Sequence, residues 1–453
     1  MSQNNCKFEH SFVQVKCFGN ARISATSDSF AAMDRLADFI HKYWSNVWVK
    51  GILVLIVLLF VFIEANGGRN DLDIFLNASQ DLFRGENIYE NTYYDGYHYY
   101  YSVLFATLIY PLSLLGSFWS KWLWISFQLL LLWRIWMIMI GWLGTYLNKP
   151  ALKSLLGFCV LVFCLRFVRS NLHLCQMTIM MLFLSLESIN MILKRRWILG
   201  SMLLAFAINI KLMPLVLLPY LFYRAQWKAA IMTLFMIGAM LYLPILWLGK
   251  DQHAILLHGY FDLINPTQSA HVLDASETSF HSLTTFFAVF FSEDAHENGA
   301  QDWPRNLASL QITQLNILIN VVRLALIVFT LWFLRSLPFK SFDNNEHTWW
   351  EISYLLLLVP LIFPHQQHYA FFMCLPAVGW IFYQLIQKKF VVSPWILGFL
   401  ILVFLCFNLS LWLGAFNKWY NHFKLVTFGG LALLFVLAKL LPGSLSISRS
   451  EAR

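Results

Sequence analysis

The sequence predicts an all-α, polytopic membrane protein. Hydrophobic residues make up 59% of the 453 residues and charged residues only 12%, against about 25% charged in soluble globular chains. Mean hydropathy is +0.60. The apolar runs are long enough for a bundle of roughly 11–13 transmembrane helices at about 20 residues each, and they lack the period-2 alternation of barrel strands. Lipid offers an unpaired backbone group no partner, so helices are the default.

Residues 1–48 read as a cytoplasmic tail. The segment is polar and mixed, and no short apolar stretch ends at a small-residue cleavage site. The first apolar run, about Val49 to Ile63, has Lys42 and Lys50 before it and Glu64, Asp71 and Asp73 after it. The positive-inside bias then places the N-terminus inside and the acids outside. The first outer loop, 64–98, is too long for a tight connection. Within it Ile74, Phe75, Ala78 and Leu82 share one helical face, and Arg84-Gly85-Glu86-Asn87 ends the pattern. That is an amphipathic helix, expected to lie on the outer membrane surface.

Four apolar runs follow, at about 99–116, 119–143, 151–168 and 176–192. Their number conflicts with the sidedness of the flanking loops, so one is expected to be a partial crossing or one orientation to be wrong. Basic clusters mark inner loops: Lys194-Arg195-Arg196, Arg224 with Lys228, Arg335 with Lys340, Lys388-Lys389, and Lys439, Arg449 and Arg453 at the C-terminal end. Between Arg196 and Arg224 lies a single apolar stretch with Lys211 near its middle and Pro214 after it. Two inner ends cannot flank one full crossing, so this stretch is expected to be a helical hairpin broken near Lys211 to Pro214. The large outer loop, 249–309, is acidic. Trp349 to Phe363 runs outward, Pro364-His365-Gln366-Gln367-His368-Tyr369 forms an outer turn, and Ala370 to Ile386 returns. The result is a single transmembrane domain over 49–441, with a cytoplasmic tail at 442–453 and both termini inside.

The net charge of +8 is scattered over loop ends, without a basic patch interleaved with aromatics, and argues against nucleic-acid binding. The seven cysteines, Cys6, Cys17, Cys159, Cys164, Cys175, Cys374 and Cys406, have no metal-ligand spacing with His and read as free thiols. No tight Asp/Glu/His set suggests a metal, and no Gly-rich phosphate loop suggests a nucleotide.

Ionisable residues inside membrane segments are functional candidates by default. Lys211 is the clearest; Arg134, Arg166 and Arg169 stand nearer helix ends, where they can snorkel. Asp71 and Asp73 lie at the outer end of the first membrane helix, a natural place for a base acting on a lipid-linked substrate. His365, Gln366, Gln367 and His368 cluster at one outer turn, and Asn171, His173 and Gln176 at another. Together they suggest one outward-facing polar site.

These residues resemble glycosyltransferase family 87, of the multi-span GT-C fold. Asp71-Leu72-Asp73-Ile74-Phe75 followed by Arg84-Gly85-Glu86-Asn87-Ile88-Tyr89 is similar to the family's first-loop signature. Tyr100-Tyr101-Ser102 leading to Pro111-Leu112 resembles its next helix. Asn171 and Gln176 resemble an Asn-Leu-x-x-Gly-Gln stretch in which Cys175 replaces the usual Gly. Ile210-Lys211 with Pro214 resembles an Ile-Lys-x-x-Pro element, and Pro364 to Tyr369 its late His motif.

The resemblance implies a transferase that moves mannose or another hexose from a polyprenyl-phosphate donor to a glycan or glycolipid acceptor. An inverting mechanism without cofactor or essential metal is expected, and the family favours a plasma (inner) membrane. Asp71 is then the first candidate for the base, with Asp73 in reserve. Lys211 and His365, with Arg169 and His368 behind them, are expected on the donor phosphate, and Asn171, Gln176, Gln366 and Gln367 on the sugar or acceptor. The competing reading is a secondary transporter or lipid-sugar flippase, since broken helices and intramembrane charges also mark transport pathways.

Overall fold

The protein is described by a computed structural model over residues 32–94, 96–144, 147–265, 272–273, 277–293, 295, 300–334, 337–342, 344–387 and 394–442. Cys6, Cys17, Asp274, Asp294, Glu297, Arg335, Lys388, Lys389, Arg449 and Arg453 lie outside the described residues, as do most of the two tails.

Helix α1 (Val47–Ala65) starts where the Asn46 side chain accepts hydrogen bonds from the Trp48 and Val49 amides. Only Val61 and Ala65 of α1 are buried. Helix α2 (Asp71–Phe83) follows, as the spacing of its apolar positions predicts. It differs from the expected surface helix in one respect. Leu72, Ile74, Phe75, Leu76, Ala78 and Leu82 are all buried, packed into the protein rather than laid on lipid.

The cover over α2 is α3 (Val103–Ser113). The Ser79 hydroxyl donates to the Ala106 carbonyl at 2.6 Å, Gln80 Nε2 donates to the Ser113 carbonyl at 2.9 Å, and the Phe75 ring meets Tyr101 and Phe105 at 4.7 and 5.8 Å. At 1.5 Å per residue α3 is about 17 Å long, too short for a hydrocarbon core of about 30 Å. Of the four runs between 99 and 192, this one and Thr178–Leu193 form the shorter helices.

Helices α4 (Ser117–Leu143), α5 (Pro150–His173) and α6 (Thr178–Leu193) carry the chain from the Asp71 end to the exposed Lys194-Arg195-Arg196 turn. Helix α7 (Trp197–Ile210) lies close against α6: a Cβ on Gly200 would meet the Ser188 carbonyl at 2.6 Å. The expected break is present. Lys211 is extended (φ −151°, ψ 136°), a 3-10 turn covers Met213–Val216, and α8 (Leu217–Tyr223) returns.

Helix α9 (Trp227–Tyr242) leads to the large loop, which is not featureless: it holds α10 (Lys250–Ile264) and α11 (Leu283–Phe291). Then come α12 (Ile312–Leu334), α13 (Asn345–Ile362), a 3-10 segment His368–Cys374 running into α14 (Leu375–Ile386), α15 (Pro394–Asn408) and α16 (Leu425–Lys439).

Among the described residues, seven helices are long and apolar enough to cross a membrane, or eight if the pair Gly414–His422 and Leu425–Lys439, bent by 65°, is one span. Val103–Ser113, Thr178–Leu193, Trp197–Ile210 and Met213–Tyr223 are apolar but shorter. The larger number of crossings expected from the apolar runs thus separates into long spans and short, packed helices. Extended pairing among the described residues is confined to the isolated bridges Tyr93–Tyr97 and Phe280–Gln367.

One buried ionic group sits at the end opposite Asp71. Arg224 Nη2 and Nε donate to Glu351 Oε1 and Oε2 at 2.5 and 2.9 Å, and the Tyr220 hydroxyl donates to Oε2 at 2.7 Å. Neither charged side chain of the pair is exposed. Arg224 is thus not the open loop charge its sequence position suggests. Exposed basic residues at that end include Lys149, Lys194, Arg195, Arg196, Lys228 and Lys340.

Candidate active site

Asp71 is the first residue of α2, and a capping box explains why it stays in place. Asn70 Oδ1 accepts from the Leu72 amide at 3.2 Å, and the Asn70 amide donates to Asp73 Oδ2 at 2.9 Å. This reciprocal cap satisfies helix-terminal donors, and carboxylates are favoured there. Asp73 is further held by Lys121 Nζ at 3.1 Å, which also donates to the Gly68 carbonyl at 2.7 Å. The two acids thus have different work. Asp73 is committed to the cap and to Lys121, while Asp71 faces the polar groups of other helices.

Gln176 supplies the first contact, donating from Nε2 to Asp71 Oδ2. Its own position is fixed twice: its amide donates to the Asn171 carbonyl at 2.9 Å, and its carbonyl accepts from Gln128 Nε2 at 3.0 Å. Between them Cys175 has φ 52°. This left-handed conformation is the one Gly adopts without steric cost, which accounts for Gly at this place in the resembled motif. Cys175 is also tied into the site: its carbonyl accepts from Trp124 Nε1 at 2.9 Å and its Sγ from Asn70 Nδ2 at 3.3 Å.

Lys211, at the broken end of α7, brings the cation. Its Nζ lies 5.2 Å from the centroid of the Tyr101 ring and acts electrostatically on Asp71. Both Asp71 and Lys211 lie deep in the protein yet keep part of their surface accessible. Burial pushes the Asp71 carboxyl up to about 7; Lys211 pulls against that shift and Glu277 adds to it.

Glu277 was legible only as one acid of the large loop. The Phe280–Gln367 bridge brings it in. Glu277 Oε2 accepts from Gln367 Nε2 at 2.8 Å and from the Ser279 hydroxyl at 2.7 Å. Tyr369 and Tyr101 also adjoin Asp71. Neither Tyr101 nor Tyr369 stood out as a site residue in the sequence, because aromatics are common throughout it.

The structure brings the predicted residues together unequally. Asp71, Gln176, Lys211 and Gln367 converge directly or through Glu277. Asn171 is a support: it is fully buried and its Nδ2 donates to the Tyr369 carbonyl at 3.0 Å. Gln366 is buried and Nε2 donates to the Pro364 carbonyl at 2.7 Å, so it shapes the turn. His365 takes a left-handed φ of 54°, with its ring 5.3 Å from Phe280 and 6.4 Å from Tyr100. His368 turns away, with Nε2 3.0 Å from the Ser170 hydroxyl. Arg169 is exposed on α5 and makes no hydrogen bond or ion pair with these groups. Arg166, one turn earlier, is the buried arginine. Among the described residues no group of three or more His, Cys, Asp or Glu side chains could hold a metal ion.

An all-helical bundle with a carboxylate, a lysine and amides gathered where several helices end or break defines a multi-pass membrane protein with a polar site set into it. The glycosyltransferase family 87 model matches residues 99–344. The chain belongs to that family and is a membrane glycosyltransferase. The matched stretch includes Tyr101, Asn171, Gln176, Lys211 and Glu277; Asp71 precedes it and the His365 turn follows it. No curated protein matches the chain.

Proposed function

We propose that the protein moves mannose or another hexose from a polyprenyl-phosphate donor to a glycan or glycolipid acceptor, with inversion, using Asp71 as the base. The architecture is then of the GT-C type. The observation that carries the reading is the placement of Asp71: a carboxyl buried beside Lys211, oriented by Gln176, and pushed up to about 7. A base with that affinity is matched to taking a proton near neutral pH.

In the reaction, the acceptor oxygen attacks the anomeric carbon and its proton passes to Asp71. The bond from that carbon to the phosphate oxygen breaks, and its electron pair leaves with the phosphate. The donor is a singly charged diester and the product a monoester with a further charge, so cations placed near the departing oxygen stabilise the transition state. Lys211 and His365 are assigned to the donor phosphate, with His368 behind them. Gln367 and Gln176 are assigned to sugar or acceptor hydroxyls, with Glu277 orienting Gln367. Asn171 and Gln366 support them. No cofactor or metal takes part.

The exposed basic turns at the opposite end support a site that faces the outside of a plasma (inner) membrane, with both termini in the cytoplasm. The test is transfer of radiolabelled sugar from synthetic polyprenyl-phosphate mannose by purified protein, wild type beside Asp71→Asn. Label reaching an acceptor with wild type alone is the expected result. Movement of intact donor across a liposome wall, without cleavage, would replace this reading by a flippase.

A further inference from the structure

A second buried polar group lies on the other side of the His365 turn. Tyr369 faces Asp71, and His368 next to it faces Ser170 on α5. Arg166 on the same helix is 4% exposed; its Nη1 donates to the Tyr420 hydroxyl at 2.5 Å and to the Phe407 carbonyl at 3.3 Å. His281 is fully buried, and among the described residues neither ring nitrogen has a partner at full hydrogen-bond geometry, the Asn421 side chain being a polar neighbour. Its backbone, in contrast, is pinned on both sides. The His281 amide donates to the Gln366 carbonyl at 2.7 Å and its carbonyl accepts from the Thr427 hydroxyl at 2.7 Å.

The charges acting on His281 are Lys424, Arg166 and His368, with Asn421 beside it; no carboxylate is among them. Lys424 is fully buried, has a left-handed φ of 52°, and donates from Nζ to the Thr278 carbonyl at 3.0 Å. It stands at the N-terminus of α16, which has no side-chain cap, at the point where the chain bends by 65°. A helix N-terminus with unpaired amides favours an anion. A fixed backbone carrying a weakly bonded, buried imidazole between cations is costly to retain without a ligand. Trp412 and Phe416, both 66% exposed, project from the segment between α15 and this bend and offer an apolar surface beside it.

We infer that Arg166, His281, His368 and the N-terminal end of α16 form a seat for the phosphate of a polyprenyl phosphate, the leaving group of the transfer. The inference rests on the proposed function and deepens it. Inversion places base and leaving group on opposite faces of the anomeric carbon. Lys211 and His365 would meet the donor phosphate from the Asp71 side. The Arg166 group stands across the His365 turn from Asp71, where the departing phosphate gains its second charge. The C–O bond breaks with its electron pair on the phosphate oxygen, Arg166 and His281 donate hydrogen bonds to the phosphate, and the acceptor's proton goes to Asp71.

The test is equilibrium binding to the full-length protein in lipid nanodiscs, using decaprenyl phosphate, neutral decaprenol and inorganic phosphate as probes. Wild type is expected to prefer decaprenyl phosphate to decaprenol by at least about tenfold. His281→Leu removes at most a weak interaction with Asn421, so it is expected to fold and to bind decaprenyl phosphate about tenfold more weakly. Arg166→Lys keeps the charge but loses the fork, and should also weaken binding. Asp71→Asn should bind as wild type does. Unchanged binding by both His281→Leu and Arg166→Lys would overturn the seat. Inorganic phosphate binding as tightly as the lipid would overturn the lipid assignment. If wild type bound as expected but transferred no sugar from any polyprenyl-phosphate donor, the proposed function would fall and the anion seat would stand.

Discussion

The side-chain amide of Gln176 donates to the carboxylate of Asp71, joining the start of α6 to the start of α2 across 105 positions of chain. Asp71 is thereby aimed by a group that carries no charge. Asp71→Asn should abolish sugar transfer while leaving the protein folded and donor binding intact. Radiolabel transfer and donor binding, measured on the same preparation, check both halves.

The raised affinity of Asp71 for a proton sets a pH profile. The base must be deprotonated, so kcat/KM should rise with pH with a half-point near 7. Glu277→Gln removes a charge that raises this value and should move the half-point down; Lys211→Gln removes one that lowers it and should move it up. A half-point unmoved by either change would remove that residue from the electrostatics of the site.

The same shift bears on stability. A carboxyl whose folded value lies above its ordinary 3.8 favours the fold fully below that value, and the benefit is lost as pH rises through about 7. Asparagine has no such loss. Asp71→Asn should therefore be more stable than wild type at about pH 8, by on the order of a few kcal/mol, and equally stable at about pH 4. Thermal melts in detergent at the two pH values decide it.

Cys175 gives a backbone test. Its φ of 52° is strained for a side chain with a Cβ. Cys175→Gly should stabilise the protein by about 1 kcal/mol, less the weak bond from Asn70, and retain transfer. Cys175→Val should lower the melting temperature, because a β-branched residue fits this conformation worst.

Arg224 and Glu351 test the opposite end. Arg224→Met alone leaves a buried carboxylate without its partner and should cost about 3–5 kcal/mol. Combining it with Glu351→Leu should recover much of that loss. Melts of the single and double variants measure the difference, and a double variant as unstable as the sum would contradict it.

Much of the architecture could be read from the residues. The apolar run from Val49 to Ile63 pointed to α1, the spacing of Ile74, Phe75, Ala78 and Leu82 to α2, and Lys211 with Pro214 to the broken hairpin. What failed did so for physical reasons. An apolar face on α2 looks the same whether lipid or α3 covers it. Arg166 and Arg169 lie one turn apart on α5, and only the packing of Tyr420 and Phe407 decides which is buried. Glu277 and His281 lie in the long loop without any local signal, and a bridge between Phe280 and Gln367 joins them to the site. Tyr101 and Tyr369 were hidden by abundance.

Helix α1 is 19 residues long, about 28 Å, and touches the bundle with little of its surface. Its tilt therefore follows the thickness of the bilayer around it rather than the packing of its neighbours. Four residues separate α1 from Asn70, the cap that holds Asp71. By gripping the Gly68 carbonyl and Asp73 together, Lys121 acts as a mechanical stop. The cap at Asp71 is thereby held from α4 as well as through the chain from α1.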